Sequence, residues 1–280
     1  MFKSDGDFQE ETVEIDDHQI FLRKNGRGKP VFLLSGLTDL SGSGFKDLSS
    51  YLAPQGFECT TLAIPYSLPT SCQLLLTLLG KFQEDTSTGS AQEKVILIGD
   101  SFGSLIALNF AALYPQKVEK LVLCEMSVYL THSFKRRITA KFCHLVKNSS
   151  VAQKIVKSMI NSDFILKQIW SRFWPTRVWT KDFSQDEMVV NLRKLQVKAM
   201  VEVILEILEN NPYEAAQKII CPTLIICGEK DRFLTPREGR NIHHQIKHSE
   251  LLIVPGMKHG AFLDYLEQIQ EKIAGFLLSS

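Results

Sequence analysis

The chain has 280 residues, 44% of them hydrophobic, and a formal net charge of +1. This length accommodates one α/β domain with an insertion, and the balanced charge without a nucleic-acid-binding motif argues against a nucleic-acid partner. The N-terminal region has no apolar stretch after basic residues, no run is long enough to span a membrane, and the six cysteines show no paired or metal-like spacing. We therefore expect a cytoplasmic protein that needs no metal and no cofactor.

The most informative segment is an apolar run that leads into a glycine-rich turn. Residues 94–98 are typical of a strand buried on both faces, and Gly99-Asp-Ser-Phe-Gly103 follows directly. Apolar residues then recur at helical spacing until Pro115. A strand, a G-x-S-x-G turn and a helix predict a nucleophile elbow, in which the two glycines remove clashes around a strained serine. We therefore predict that Ser101 is the nucleophile.

A long helical segment follows the next predicted strand, 118–124. It predicts four helices, at 138–146, 152–160, 164–173 and 186–209, and the pair Ser184 and Glu187 forms a capping-box pattern near the start of the last. We assign residues 1–127 and 212–280 to the core domain and 128–211 to a helical insertion. Aromatic side chains of the insertion could line an apolar acyl site, but for most of them packing onto the core is the preferred interpretation. These aromatics are Phe164, Trp170, Phe173, Trp174, Trp179 and Phe183.

Two further candidates lie after the insertion, each past the end of a predicted strand. Asp231 follows the strand that begins at Pro222, and His259 lies in a loop after the strand that begins at Leu251. A serine hydroxyl needs a histidine to take its proton and a carboxylate to orient that histidine. Glu125, at the end of strand 118–124, is a competing acid. We prefer Asp231, because we expect Glu125 to line the pocket or to pair with a basic neighbour.

These motifs resemble those of the α/β-hydrolase fold family, in its lid-bearing serine esterase type, from about residue 12 to residue 278. The matched segments are the elbow, the turn 228–231, the loop 256–259 and the strand 30–37. The resemblance implies a mostly parallel central sheet flanked by helices, with segment 128–211 as a lid.

The resemblance also implies an oxyanion hole made by the backbone N–H groups of Leu37 and Phe102. Many members of the family carry His-Gly at the oxyanion loop, where this chain has Ser35-Gly36. Because the hole uses backbone groups, the substitution leaves Leu37 and Phe102 able to supply it.

The function that the resemblance implies is hydrolysis of a carboxylic ester or thioester with an apolar acyl group. The reaction would proceed through a Ser-His-Asp triad and an acyl-enzyme. Carbon–carbon bond hydrolases and acyltransferases use the same triad, and a non-catalytic ligand-binding protein on this scaffold is a further alternative. A serine at the elbow argues against dehalogenase and epoxide hydrolase chemistry, which use an aspartate nucleophile in this fold.

Charge is distributed unevenly along the chain. Residues 131–200 hold fourteen Lys and Arg against four Asp and Glu, a net charge of +10, so the remainder carries about −9. A basic lid would suit an acyl-carrier-linked substrate, a coenzyme A ester or an anionic membrane surface as well as a small-molecule ester. The simpler interpretation is a solvated helical face. Arg136 and Arg137 are the candidate carrier-binding residues.

Overall fold

The computed structural model describes residues 8–37, 39, 41–64, 67–85, 94–126, 134–173 and 187–279. The strands are β1 (Gln9–Ile15), β2 (His18–Gly26), β3 (Lys29–Leu34), β4 (Phe57–Ala63), β5 (Val95–Asp100), β6 (Val118–Cys124), β7 (Thr223–Gly228) and β8 (Ser249–Val254). The helices up to β7 are α1 (Lys46–Leu52), α2 (Leu68–Asp85), α3 (Phe102–Leu113), α4 (Phe134–Asn148), α5 (Ser150–Asn161), α6 (Asp163–Phe173), α7 (Glu187–Lys194), α8 (Val197–Glu209) and α9 (Pro212–Ala216). Helices α10 (Pro236–Gln245) and α11 (Leu266–Leu278) follow.

All eight strands form one sheet in the order β1-β2-β4-β3-β5-β6-β7-β8. Strands β4, β3, β5, β6, β7 and β8 pair in parallel, whereas β1 and β2 add an antiparallel edge. The loops after β5, β7 and β8 therefore leave the sheet at the same edge. This edge is where ligands bind in sheets of this kind.

Successive side chains along a strand point to opposite faces of the sheet, and in the central strands both sets are apolar. Helices cover both faces and bury these side chains. In β3, for example, Phe32 and Leu34 belong to one core cluster and Val31 and Leu33 to the other. Helices α2, α3 and α10 pack on the first face, and α1 and α11 pack on the second. Burial on both faces explains why the central strands are continuous apolar runs.

Helices α4 to α8 lie between β6 and β7, in the segment predicted to be helical. Helices α4, α5 and α6 begin a few residues earlier than predicted. The single helix predicted over 186–209 is wrong, because the chain breaks into α7 and α8 at Gln196, which is extended with φ −72° and ψ 129°. Lys157 Nζ from α5 donates to the freed carbonyl oxygens of Arg193 at 2.5 Å and Leu195 at 3.2 Å. These bonds satisfy carbonyls that have lost their partners within the helix. Ser184, of the predicted capping box, lies outside the described residues.

The inserted helices have a small core of their own and a firm attachment to the sheet domain. The buried members of that core are Cys143, Val146, Ile160, Val197, Val201 and Leu205. On α8, Val203 joins the main core, and Glu206 Oε2 accepts a hydrogen bond from Leu68 N at 2.6 Å. Helix α8 is therefore the element that ties the insertion to α2.

All six cysteine thiols are free and buried. Burial raises the pKa of Cys59, Cys72 and Cys227 to about 12. The buried cysteines thus pack as small apolar residues. Among the helices of the described residues, none is long and apolar enough to cross a membrane.

Candidate active site

The predicted nucleophile lies in the turn between β5 and α3. Ser101 has φ 52° and ψ −112°, a strained conformation for a residue with a side chain, and its N–H donates to Cys124 O at 2.9 Å. This bond to the end of the neighbouring strand holds the turn in place. The Ser101 hydroxyl consequently stands at the N-terminus of α3.

Two glycines allow this turn to form. A Cβ at Gly103 would lie 1.9 Å from Leu34 O, and one at Gly99 would lie 2.4 Å from Ser104 N. Neither backbone neighbour can move without distorting a strand or a helix. The glycines of the motif are therefore required sterically, because only a residue without a side chain lets α3 approach the end of β3 this closely.

The structure brings Ser101, His259 and Asp231 together in one hydrogen-bonded chain. Ser101 Oγ lies 2.9 Å from His259 Nε2, and His259 Nδ1 lies 3.0 Å from Asp231 Oδ2. His259 and Asp231 are both buried. When Nδ1 carries the imidazole proton and donates to Asp231, Nε2 is free to accept the serine proton.

Asp231 is itself held by the backbone that follows it. Its Oδ1 accepts hydrogen bonds from Phe233 N at 2.7 Å and Leu234 N at 3.1 Å. The Phe233 ring packs against the His259 imidazole, with 4.5 Å between the ring centroids. The carboxylate and the imidazole are therefore fixed before any substrate binds.

The loop after β3, predicted to supply part of the oxyanion hole, lies against the nucleophile. A Cβ at Gly36 would lie 3.4 Å from Ser101 Cβ, and Leu37 is the next residue. Asp39 braces this loop, because its carboxylate accepts from Ser43 N at 3.0 Å and Gly44 N at 2.9 Å. Phe102, the other predicted donor, is the first residue of α3 and is buried.

Within the described part of the chain, Glu125 lacks the basic neighbour that was one of the two roles expected of it. Its carboxylate is buried, and Oε1 accepts a hydrogen bond from Ala261 N, two residues after His259, at 3.3 Å. Among the described residues no basic side chain pairs with it. Burial, followed by repulsion from Asp100 and Asp231, raises its pKa well above the usual range. Glu125 therefore anchors the loop that carries His259, a role that only the three-dimensional fold reveals.

Asp100 is a second buried carboxyl that sequence reasoning missed, although it stands inside the elbow motif. Burial raises its pKa to about 7, with the charge of His259 opposing the shift and those of Asp39 and Asp231 adding to it. Its Oδ1 has no hydrogen-bond partner within the described part of the chain. A charged residue type directly after the apolar strand was the available signal.

Ser104 follows the second glycine of the elbow. Its buried hydroxyl lies 2.7 Å from Gly99 O, near the end of β5, and 2.8 Å from Cys124 O, at the end of β6. The hydroxyl therefore links these two neighbouring strands beside the nucleophile.

The remaining predicted residues lie on the insertion. Arg136 is half-buried and Arg137 is exposed, both near the start of α4. Phe164 is exposed on α6, so this one of the six aromatics does not pack onto the core. The other five aromatic side chains of that prediction lie outside what the structure describes. Within the described ranges, no group of three His, Cys, Asp or Glu side chains is placed to hold a metal ion.

Comparisons with known proteins identify the family of the chain. The family model Hydrolase_4, serine aminopeptidase S33, matches residues 71–265. Serine hydrolase BPHL of Mus musculus is 25% identical over 274 residues, which cover 95% of this chain and 85% of the mouse protein. A pimeloyl-(acyl-carrier protein) methyl ester esterase of Neisseria meningitidis is 27% identical over 174 residues, 61% of this chain and 64% of the esterase.

Solved structures show the same architecture. Bromoperoxidase from Bacillus anthracis superimposes with a TM-score of 0.74 at 20% identity, covering 97% of this chain and 100% of that protein. This likeness confirms the predicted fold class, a mostly parallel sheet flanked by helices. With the family model matching most of the chain, the protein belongs to the serine aminopeptidase S33 family of α/β-hydrolases and is a serine hydrolase.

Proposed function

We propose that the chain hydrolyses a carboxylic ester or thioester with an apolar acyl group, through Ser101, His259 and Asp231. The observation that carries the proposal is the continuous chain of contacts from Ser101 Oγ through both imidazole nitrogens to the Asp231 carboxylate. The name of the meningococcal relative, a methyl ester esterase, supports ester chemistry.

In the first half-reaction, Ser101 Oγ attacks the carbonyl carbon while His259 Nε2 takes the hydroxyl proton. The backbone N–H groups of Leu37 and Phe102 donate hydrogen bonds to the resulting oxyanion. Asp231 stabilises the imidazolium without itself taking the proton. Collapse of the tetrahedral intermediate breaks the bond to the leaving oxygen or sulfur, to which His259 returns the proton.

In the second half-reaction, water replaces the leaving group. His259 Nε2 takes a proton from the water, and the hydroxide formed attacks the acyl-serine carbonyl. The second tetrahedral intermediate expels Ser101 Oγ, which recovers its proton from His259. The products are a carboxylic acid and an alcohol or thiol, and the enzyme returns to its starting state.

The insertion 128–211 is proposed as the lid of this site. Helix α8 contacts α2 through the bond from Leu68 N to Glu206, and Asn210 lies next to Asn109 of α3. Helix α3 begins directly after Ser101, so the insertion is attached to the helices nearest the nucleophile. A contact of Arg136 and Arg137 with an acidic carrier stays a prediction.

The test is hydrolysis of p-nitrophenyl esters from acetyl to long acyl chains by the wild type and by Ser101→Ala. We expect a chain-length optimum and a loss of kcat/KM on the order of a thousandfold or more in Ser101→Ala. Ser50→Ala, on an exposed position of α1, is the matched control and should be unchanged. Turnover that survives Ser101→Ala would overturn the proposal.

The same assay tests the carrier contact. Arg136→Glu with Arg137→Glu should weaken turnover of a carrier-linked ester far more than that of a small neutral ester. An equal loss on both substrates would contradict the carrier contact while leaving the ester hydrolase standing.

A reducing, cytoplasmic location is also proposed. Its support is that all six thiols are buried and unpaired in the folded chain. Non-reducing mass spectrometry of the purified natural protein should find six unmodified cysteines, and any disulfide would contradict this location.

A further inference from the structure

Large apolar side chains are exposed in an unusual concentration on the inserted helices. Of the eleven large hydrophobic side chains that are exposed in the described part of the chain, eight lie between Ile138 and Ile169. The sheet domain exposes only Leu113, Ile220 and Leu278, at scattered positions of the described chain. Single exposed apolar residues are normal, whereas a concentration of this kind marks a contact surface.

Six of these side chains form one row on each of two successive helices. Helix α4 contributes Ile138, Phe142 and Leu145, and α5 contributes Val151, Ile155 and Met159. Spacings of three and four residues place each trio on one side of its helix. Their exposure ranges from 39% to 66%, although the opposite side of each helix faces the small core of the insertion.

The charged side chains on these two helices have one sign. Helices α4 and α5 together contain seven Lys and Arg and no Asp or Glu. Among these cations, Lys147 pairs with Glu202 at 3.4 Å, and Lys157 bonds the carbonyls at the α7–α8 break. Arg137, Lys141 and Lys154 are exposed and form no ion pair with any residue that the structure describes. We call the six apolar residues and these three cations the basic apolar face.

The helical positions put cations beside the apolar rows. Lys141 stands one residue before Phe142 and four before Leu145, and Lys154 stands one residue before Ile155. An apolar row bordered by cations is the composition of helices that lie in the interface of an anionic bilayer. The apolar groups enter the acyl boundary while the cations remain among the headgroups.

A second copy of the chain fits this face poorly. A two-fold contact would place the same cations of both copies against one another, and the seven cations of α4 and α5 have no acidic residues among them to offset that repulsion. An acidic protein would satisfy the cations, but it would have to cover six protruding apolar side chains on two helices. A lipid surface satisfies both at once.

We propose that the basic apolar face docks the protein on an anionic phospholipid surface. Docking of this kind requires no catalytic residue, so it stands independently of the ester hydrolase activity.

The test is co-sedimentation of the full chain with vesicles of phosphatidylcholine alone and of phosphatidylcholine mixed with phosphatidylglycerol. We expect binding to the mixed vesicles, weak or no binding to the neutral ones, and release as salt is raised. Phe142→Ser with Ile155→Ser, and separately Lys141→Glu with Lys154→Glu, should each lower the affinity about tenfold or more. Ser101→Ala should bind as the wild type does.

Matched controls place the same changes on the sheet domain. Leu113→Ser with Leu278→Ser removes exposed apolar groups there, and Lys81→Glu with Lys218→Glu reverses exposed cations. Both controls should bind vesicles normally, and circular dichroism should show every variant folded. The proposal is overturned by failure to bind mixed vesicles, by equal losses in the controls, or by binding of an acidic carrier protein without binding of vesicles.

Discussion

The sheet domain and the helical insertion differ in how completely they bury their apolar side chains. In the sheet domain, β3, β5, β6 and β7 are buried almost throughout, and backbone atoms around the nucleophile approach closely enough to exclude even a methyl group. The described part of the insertion buries six side chains in a core of its own and leaves eight large apolar ones exposed. Chemistry that depends on fixed distances thus resides in the first region, and contact surfaces in the second.

The largest difference between the regions should appear when a methyl group is added in the sheet domain. Gly103→Ala places a Cβ against Leu34 O, a backbone atom that cannot give way, so we expect a loss of several kcal/mol of unfolding free energy and of Ser101-dependent turnover. Thermal unfolding and ester hydrolysis measure the two effects.

Gly275→Ala is the matched control for this change. No heavy atom lies within 4 Å of the methyl position there, in the interior of α11. The control should be neutral or stabilised by about 0.5–1 kcal/mol, because alanine is the better helix former. If Gly103→Ala kept both its stability and its turnover, the backbone at the elbow would be able to move away from the added methyl group, and the steric argument would be wrong.

An intermediate effect, confined to the insertion, should follow Lys157→Met. The change removes the donor to the carbonyls of Arg193 and Leu195 and should cost about 1–3 kcal/mol locally. Hydrogen exchange should speed up in α7 and in the first turn of α8 while strands β5 and β6 keep their protection.

Lys154→Met, one turn earlier on the same helix, is the control for Lys157. Lys154 is exposed and should show no change in exchange. If Lys157→Met also sped up hydrogen exchange throughout the sheet, the insertion and the sheet domain would unfold as one unit. That result would contradict the contrast drawn between the two regions.

The last prediction concerns pH and Asp100. Burial raises the pKa of Asp100 to about 7, whereas in the unfolded chain an aspartate has a pKa of about 3.9. The buried carboxyl therefore contributes stability that is fully present below about pH 4 and is lost as pH rises to about 7. The melting temperature of Asp100→Asn, relative to the wild type, should rise by several degrees across this window and level off above it. A melting-temperature difference for Asp100→Asn that stays flat across this window would contradict the account.

Sequence patterns predicted those parts of the site that are set by neighbours along the chain. The elbow, the turn before Asp231 and the loop before His259 each follow one strand, so a strand pattern and a few residues suffice to place them. The structure then brings the three residues together because parallel strands end at one edge.

Features that depend on distant segments were beyond such patterns. The break at Gln196 needs Lys157 from another helix, and the carboxylate of Glu125 is placed by the N–H of Ala261. The apolar periodicity over 186–209 is continuous, so it indicates neither the break at Gln196 nor the position of Lys157. Asp100 was visible in the motif, but its raised pKa follows from burial among Asp39, Asp231 and His259, which only the fold assembles.

The six buried thiols make thiol labelling a measure of which region of the protein unfolds. Because every cysteine is covered and three have a pKa of about 12, a thiol-alkylating reagent finds almost no thiolate in the folded chain. One of them, Cys143, lies in the core of the insertion, and the other five lie in the sheet domain. The order in which a mass spectrometer counts added labels therefore tells whether the insertion opens alone or the whole molecule opens together.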